Sequence, residues 1–343
     1  MKKLKVEDAV GKKLAYDITE VNLDTNFKGV AFHKGHLIKE KDIERLLRLG
    51  KEYVFIEEED TDELHENDVA MAIAPLVAGE NISYSKFPVE GKICFFADVD
   101  GVFNIDIEAV LKINRMEIPS MPTISDRYPV TKGMKVAAFR TIPLTCKKEI
   151  FDKMKAILKQ PVLSVKKYTI NSASIIVTGN EIYYGRIEDK FTKKLKQKLT
   201  KFGINKINNR ILPDDEVAIA STIKDEANKS GLILITGGTS VDPDDKTRLA
   251  IEIAGVQFVQ KGNPIQPGNN FSIGYLNDIT VCAVPAAALF YDITALDIFL
   301  PQILAEIKIT KDDIASKAIG GLCHQCKICV YPVCSFGKGV YLK

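Results

Sequence analysis

Two runs without polar alternation, Ser174-Ile175-Ile176-Val177 and Leu232-Ile233-Leu234-Ile235, most restrict the fold of this chain. Strands apolar at every position are buried on both faces, as in a parallel sheet covered by helices. Amphipathic segments alternate with them. Glu188 to Phe202 is lysine-rich and closed by Gly203; Asp214 to Asn228 opens on Pro213-Asp214, as helix N-termini prefer. A helix Asp244 to Ala254 stopped by Gly255, a strand Ile279 to Val284, and a helix Ala286 to Leu300 ended or bent by Pro301 complete the pattern. The expected class is α/β, with a doubly wound, mostly parallel sheet over residues 166–310.

With 343 residues the chain has room for more than this domain. Residues 1–65 read as a small α+β region whose clearest helix, Lys39 to Leu49, is stopped by Gly50. The acidic run Glu57 to Glu63 approaches a short helix, Asn67 to Ala74, that Pro75 should end or kink. Residues 66–165 read as β-rich, with four prolines between Pro119 and Pro143 against any long helix, and no catalytic motif. Forty-seven basic against forty-five acidic residues leave no bulk field for nucleic acid. No run approaches the roughly 20 apolar residues that span a bilayer. A cytoplasmic protein is expected, with no nucleic-acid or membrane partner.

In open parallel sheets ligands sit beyond the carboxyl ends of the strands. After the second buried strand comes Thr236-Gly237-Gly238-Thr239-Ser240, where adjacent glycines and two hydroxyls suit a phosphate. Asp242, Asp244 and Asp245 then crowd three carboxylates beside it, which calls for a bridging cation, and Mg2+ is the natural one. After the first strand comes Thr178-Gly179-Asn180-Glu181, followed by Gly185-Arg186-Ile187-Glu188-Asp189. Glu181 and Asp189 are candidates to orient a ligand, although Asp189 equally suits a helix N-terminus.

These motifs, in this order, make residues 168 to 305 resemble the molybdopterin-binding domain shared by MoeA, MogA and gephyrin. The resemblance implies a pterin-nucleotide ligand and a molybdenumtransferase-like activity that inserts molybdate into adenylylated molybdopterin with Mg2+. It implies catalytic positions at Glu181 and Asp245, a phosphate cradle at Gly237, Gly238, Thr239 and Ser240, and Mg2+ on Asp245 with Asp242. Further ligand contacts fall on Thr178, Gly179, Asn180, Asp189, Pro267 and Gly268. The chain departs from the family at Asn180 and Asp242, at Pro285-Ala286-Ala287-Ala288 in place of Pro-Gly-Asn-Pro, and at Gln266-Pro267-Gly268-Asn269 in place of Lys-Pro-Gly-Lys. Loss of two lysines removes positive charge that would meet phosphate. A non-catalytic carrier or sensor and a CinA-like nucleotide pyrophosphatase are the alternatives. A homo-oligomer and contacts with other cofactor-biosynthesis proteins fit any of the three.

Residues 311–343 hold Cys323, Cys326, Cys329 and Cys334 at C-x2-C-x2-C-x4-C, a spacing for four soft ligands on Zn2+ or an iron-sulfur cluster. Cys94 and Cys282 lie in apolar runs and read as core residues.

Overall fold

The computed structural model describes residues 1–22, 26–57, 62–238 and 246–339. The chain forms two compact units. One comprises residues 1–97, 105–124 and 134–164; the other comprises 98–104, 125–133 and 165–343.

In the first unit, Lys2–Lys5 pairs antiparallel with Tyr53–Ile56, and Ile18–Asn22 with Phe27–Phe32. The helix Glu40–Arg48 closes over a core that includes Leu14, Ile18, Phe32, Leu46 and Val54. A four-stranded antiparallel sheet follows, built from Ile82–Tyr84, Ile93–Ala97, Lys135–Thr141 and Pro119–Ser120. The same stretch carries helices Glu66–Val77, Ile107–Asn114 and Lys148–Ile157, so it is less purely β than its prolines suggest. Pro75 does not end the first of these. Its ring removes one backbone bond, but Ile73, Ala74 and Val77 are all buried. Burial of such side chains, roughly 1.5–3 kcal/mol for each large one, offsets a penalty of about 3 kcal/mol.

The second unit is built on a six-stranded sheet: β1 (Ser172–Thr178), β2 (Lys206–Leu212), β3 (Leu232–Thr236), β4 (Gln257–Gln260), β5 (Ser272–Leu276) and β6 (Ile279–Val284), in the order 2-1-3-6-5-4. β2, β1, β3 and β6 run parallel, and β5 and β4 add antiparallel at one edge. Side chains alternate between the faces, as a strand dictates. Ile175, Val177, Leu234, Cys282 and Val284 pack with helices Phe191–Thr200 and Ala295–Leu304. Ile176, Ile233, Ile235, Val281 and Ala283 pack with helices Glu216–Ala227 and Thr247–Ile253. Helices therefore cover both faces, and the fold is the doubly wound α/β class with a mostly parallel sheet.

One local reading is corrected. The segment expected as one helix over 286–300 is broken into Ala287–Phe290 and Ala295–Leu304. The Asp297 carboxylate accepts the Thr294 amide at 2.8 Å and starts the second helix afresh. Pro301 lies inside that helix, where nine of its ten residues are buried. Among the described residues, no helix is long and apolar enough to cross a membrane.

Candidate functional site

β3 ends at the fully buried Thr236, and the chain leaves it through Gly237 and Gly238 at φ +94° and +50°. Both angles lie in the left-handed region, which favours glycine. A Cβ at Gly237 would overlap the carbonyl oxygen of Thr178, at the end of the adjacent strand β1. Thr178 is itself locked in place: its hydroxyl lies 2.9 Å from that of Thr247 and 3.4 Å from the Thr236 carbonyl. Thr178 thus underpins the turn. Among the described residues the Thr236 hydroxyl beneath it, which is buried, has no hydrogen-bond partner.

Gly237 and Gly238 open onto a cavity of about 570 Å3. Its second wall is the Gln266-Pro267-Gly268-Asn269-Asn270 loop ahead of β5, its third Pro285 to Ala287 beyond β6. Phe191 and Tyr291 supply aromatic faces and Gln325 an amide. Among the described residues no Lys, Arg, His, Asp or Glu lines this cavity. From these residues an anion there would meet backbone amides and neutral side chains.

The loop 266–270 is held by a residue the sequence motifs pass over. Asn263 donates through its side-chain amide to the carbonyls of Gly268 and Phe271, each at 2.9 Å, and accepts the Ile265 amide at 2.9 Å. Its own backbone amide donates to the Asn269 carbonyl at 2.9 Å. The one sequence signal for it was the turn-forming Gly262-Asn263-Pro264. The Pro267 carbonyl accepts the Ala295 amide at 3.1 Å, which fixes the loop against the broken helix. The Lys198 ammonium, buried and 2.7 Å from Asp297, holds that helix to Phe191–Thr200.

Of the residues singled out from sequence, the cavity brings together Gly237, Gly238, Pro267 and Gly268. Thr178 stands behind it. Gly179, Asn180, Glu181 and Asp189 do not line it. Asn180 exchanges hydrogen bonds with Asp214, its amide donating to the carboxylate at 2.9 Å and its side-chain oxygen accepting the Asp214 amide at 3.3 Å. Glu181 lies exposed on the four-residue helix Asn180–Tyr183. Asp189 accepts the amide and hydroxyl of Thr192 in the first turn of the next helix. Thr239, Ser240, Asp242, Asp244 and Asp245 lie outside the described residues.

A second cavity of about 290 Å3 is lined by all four C-terminal cysteines, and it shares Tyr291 and Gln325 with the first. The cysteines are free thiols. Contrary to a preassembled Zn2+ or iron-sulfur cage, no group of three or more His, Cys, Asp or Glu side chains among the described residues is arranged to hold a metal ion. Cys326 and Cys329 are exposed while Cys323 and Cys334 are half-buried. Elsewhere, burial raises the Cys282 thiol far above its usual range, as suits a core residue.

The first unit has a polar cavity of about 390 Å3 that no motif announced, lined by Asp17, His65, Glu66, Asn67 and Arg140 among others. Glu66 is buried, and among the described residues its Oε2 has no hydrogen bond, with the Arg140 guanidinium at 3.6 Å. Burial holds its carboxyl above the usual range despite Arg140. His65 is held by its neighbours: Nδ1 accepts the Asn67 amide at 3.1 Å and Nε2 lies 2.9 Å from the Ala15 carbonyl.

A mostly parallel α/β domain with a glycine turn at its carboxyl edge defines the class of the second unit. Residues 174–325 match the family model of a probable molybdopterin binding domain. Residues 3–58 match a domain of unknown function. A CinA-like protein of Thermosipho melanesiensis is 36% identical over 77 residues, 22% of this chain and 19% of that protein. A CinA-like protein of Pseudothermotoga lettingae is 37% identical over 82 residues, 24% of this chain and 20% of that protein. This chain thus spans about a fifth of the length of those curated relatives. Among solved structures, the protein CinA of Thermoplasma acidophilum covers 39% of this chain and 98% of its own, at 19% identity and TM-score 0.35. The molybdopterin biosynthesis enzyme MoaB of Thermus thermophilus covers 40% and 98%, at 14% identity and TM-score 0.32.

Proposed function

We propose that residues 166–310 bind molybdopterin or its nucleotide-linked form, in service of molybdenum cofactor biosynthesis. The observation that carries this reading is the cavity around Gly237 and Gly238, whose lining among the described residues carries no charged side chain. Molybdopterin presents a flat pterin ring, a hydrogen-bonding edge and a phosphate. The faces of Phe191 and Tyr291, the side-chain amides of Gln266, Asn269, Asn270 and Gln325, and the glycine turn's N–H groups answer to those features. The match to a probable molybdopterin binding domain supports the same ligand class.

In its finer form the proposal is a molybdopterin molybdenumtransferase-like protein, with molybdate as substrate and Mg2+ on Asp245 and Asp242. The support for Mg2+ is the sequence of that loop alone, because the described residues gather no carboxylates at the cavity. Glu181 is exposed and does not line the cavity, so its catalytic role rests on the sequence resemblance.

Purified chain titrated with molybdopterin should show saturable binding; its absence sinks the reading. Given adenylylated molybdopterin, Mg2+ and molybdate, it should release AMP. Binding without AMP release would leave a carrier or sensor. The CinA-like names of two relatives favour a second reading, a nucleotide pyrophosphatase. Cleavage of the phosphoanhydride of a dinucleotide, in the absence of molybdate, would select it.

A further inference from the structure

The polar cavity of the first unit gathers charges of both signs that the protein leaves largely unpaired. Asp17, Glu66 and Glu90 bring carboxylates to its lining, and Lys28 and Arg140 bring cations. Among the described residues, the one ion pair within this set is Glu66 with Arg140, at 3.6 Å. That separation is too long for a hydrogen bond. Glu66 is only 5% exposed, and among the described residues its Oε2 accepts no hydrogen bond. Native proteins rarely leave a buried carboxylate oxygen without a donor, and perturbed titratable groups cluster at functional sites.

The lining is held by its own backbone. The Glu66 amide donates to the Leu144 carbonyl at 2.9 Å as the residue opens the helix Glu66–Val77. The Gly91 amide donates to the Asn67 side-chain oxygen at 3.1 Å, and a Cβ at Gly91 would overlap the Glu66 carboxyl. Glu90 is thereby kept beside Glu66. The Asp17 carboxylate accepts the Lys34 amide at 2.7 Å, and Arg140 Nε donates to the Thr141 carbonyl at 3.2 Å. These bonds fix the charged groups at separate points of one wall, the preorganisation a binding site needs. His65 adds no charge at neutral pH, because burial, with help from Lys34, holds its pKa below the usual range.

We propose that this cavity binds a small zwitterion of the amino-acid class, its ammonium among Asp17, Glu66 and Glu90 and its carboxylate on Arg140 and Lys28. Three carboxylates against two cations leave the lining one negative charge in excess. Burial raises the Glu66 carboxyl; Arg140 opposes that, and Glu90 and Asp17 reinforce it. A cation among the three offsets all of them. It is an organic one, since among the described residues no three His, Cys, Asp or Glu side chains are arranged to hold a metal ion. A ligand of one sign would set like charge against part of the lining, whereas a zwitterion meets both halves. At about 390 Å3 the space lies at the small end of ligand pockets. The site belongs to the first unit and does not depend on the pterin reading.

The test is calorimetric titration of the full chain with L-alanine and L-lysine, with glutarate and cadaverine as ligands of a single sign. Saturable binding of at least one amino acid is expected, with both single-sign compounds roughly tenfold weaker or more. Glu66→Gln keeps the side chain's shape and should weaken that binding about tenfold, as one charge-assisted contact is lost. Lys28 is exposed, so Lys28→Ala probes the carboxylate end without disturbing the core, and it should weaken binding too. Lys153→Ala, which removes an exposed charge elsewhere in the same unit, should leave it unchanged. No saturation by either amino acid at millimolar concentration would overturn the proposal, as would glutarate or cadaverine binding equally well. Binding undiminished in both Glu66→Gln and Lys28→Ala, each folded by circular dichroism, would also overturn it.

Discussion

Gly237 is the residue on which the site's geometry turns. Its φ of +94° and the Thr178 carbonyl beside it exclude any side chain, so the turn cannot tolerate even a methyl group without separating β1 from β3. Gly237→Ala should destabilise the second unit by about 1–3 kcal/mol and weaken pterin binding, with the loss seen in chemical denaturation and ligand titration together. Gly238, at φ +50°, sits where asparagine and aspartate also go, so the same change there should be milder. Asn263 acts at one remove. Asn263→Ala leaves the carbonyls of Gly268 and Phe271 without their side-chain donor, at about 1–3 kcal/mol if both lose access to water. Its effect on affinity should exceed its effect on the fold, since the cavity's second wall depends on it. The glycine pair was legible in the sequence because left-handed geometry leaves a composition signature. Asn263 was not, because an asparagine that ties a loop looks like any turn asparagine until its partners are known.

At the scale of elements, the strands the sequence shows plainly are those buried on both faces, β1, β3 and β6. β2 escaped because Lys206-Ile207-Asn208-Asn209-Arg210-Ile211-Leu212 sits at the sheet's edge, where a polar strand is stable once its neighbour supplies the ladder. What fixes it is a side-chain network invisible to periodicity. Glu226, buried at the end of helix Glu216–Ala227, accepts from the Ser174 hydroxyl at 2.6 Å, the Asn208 amide at 2.9 Å and the Arg210 guanidinium at 3.0 Å. Burial alone would raise its pKa, but these hydrogen bonds and the Arg210 charge outweigh it, and the carboxyl is held below the usual range. A depressed folded pKa contributes stability that is fully present above the unfolded value, about 4.3, and is lost as pH falls through the folded one. Glu226→Gln should therefore cost about 1–3 kcal/mol at neutral pH. Its stability should fall less steeply than the wild type's below about pH 4.3. Parallel acid curves for the two proteins would show that Glu226 is not the group responsible.

At the scale of the whole molecule, charge decides how an anionic ligand can be held. The chain carries a net charge of +2, and no cation among the described residues lines the cavity. Residues 239–245 include three Asp and no Lys or Arg. A phosphate monoester bears about −1.5 to −2 at neutral pH. If glycine-turn amides held it unaided, long-range attraction would be small, and affinity would change little as the Debye length falls to about 10 Å at 0.1 M salt. The three aspartates would then oppose the ligand. If Asp242 and Asp245 hold Mg2+, the sign of the local field reverses. The two cases separate in one experiment on molybdopterin binding. The Mg2+ reading expects that removing divalent ions with EDTA weakens binding by about tenfold, a coupling of about 1.4 kcal/mol, while raising NaCl from about 50 to 200 mM costs far less. Asp245→Asn should erase the dependence on Mg2+. Affinity that is unchanged by EDTA yet falls steeply with NaCl would exclude the ion and point to a cation brought in from elsewhere in the chain.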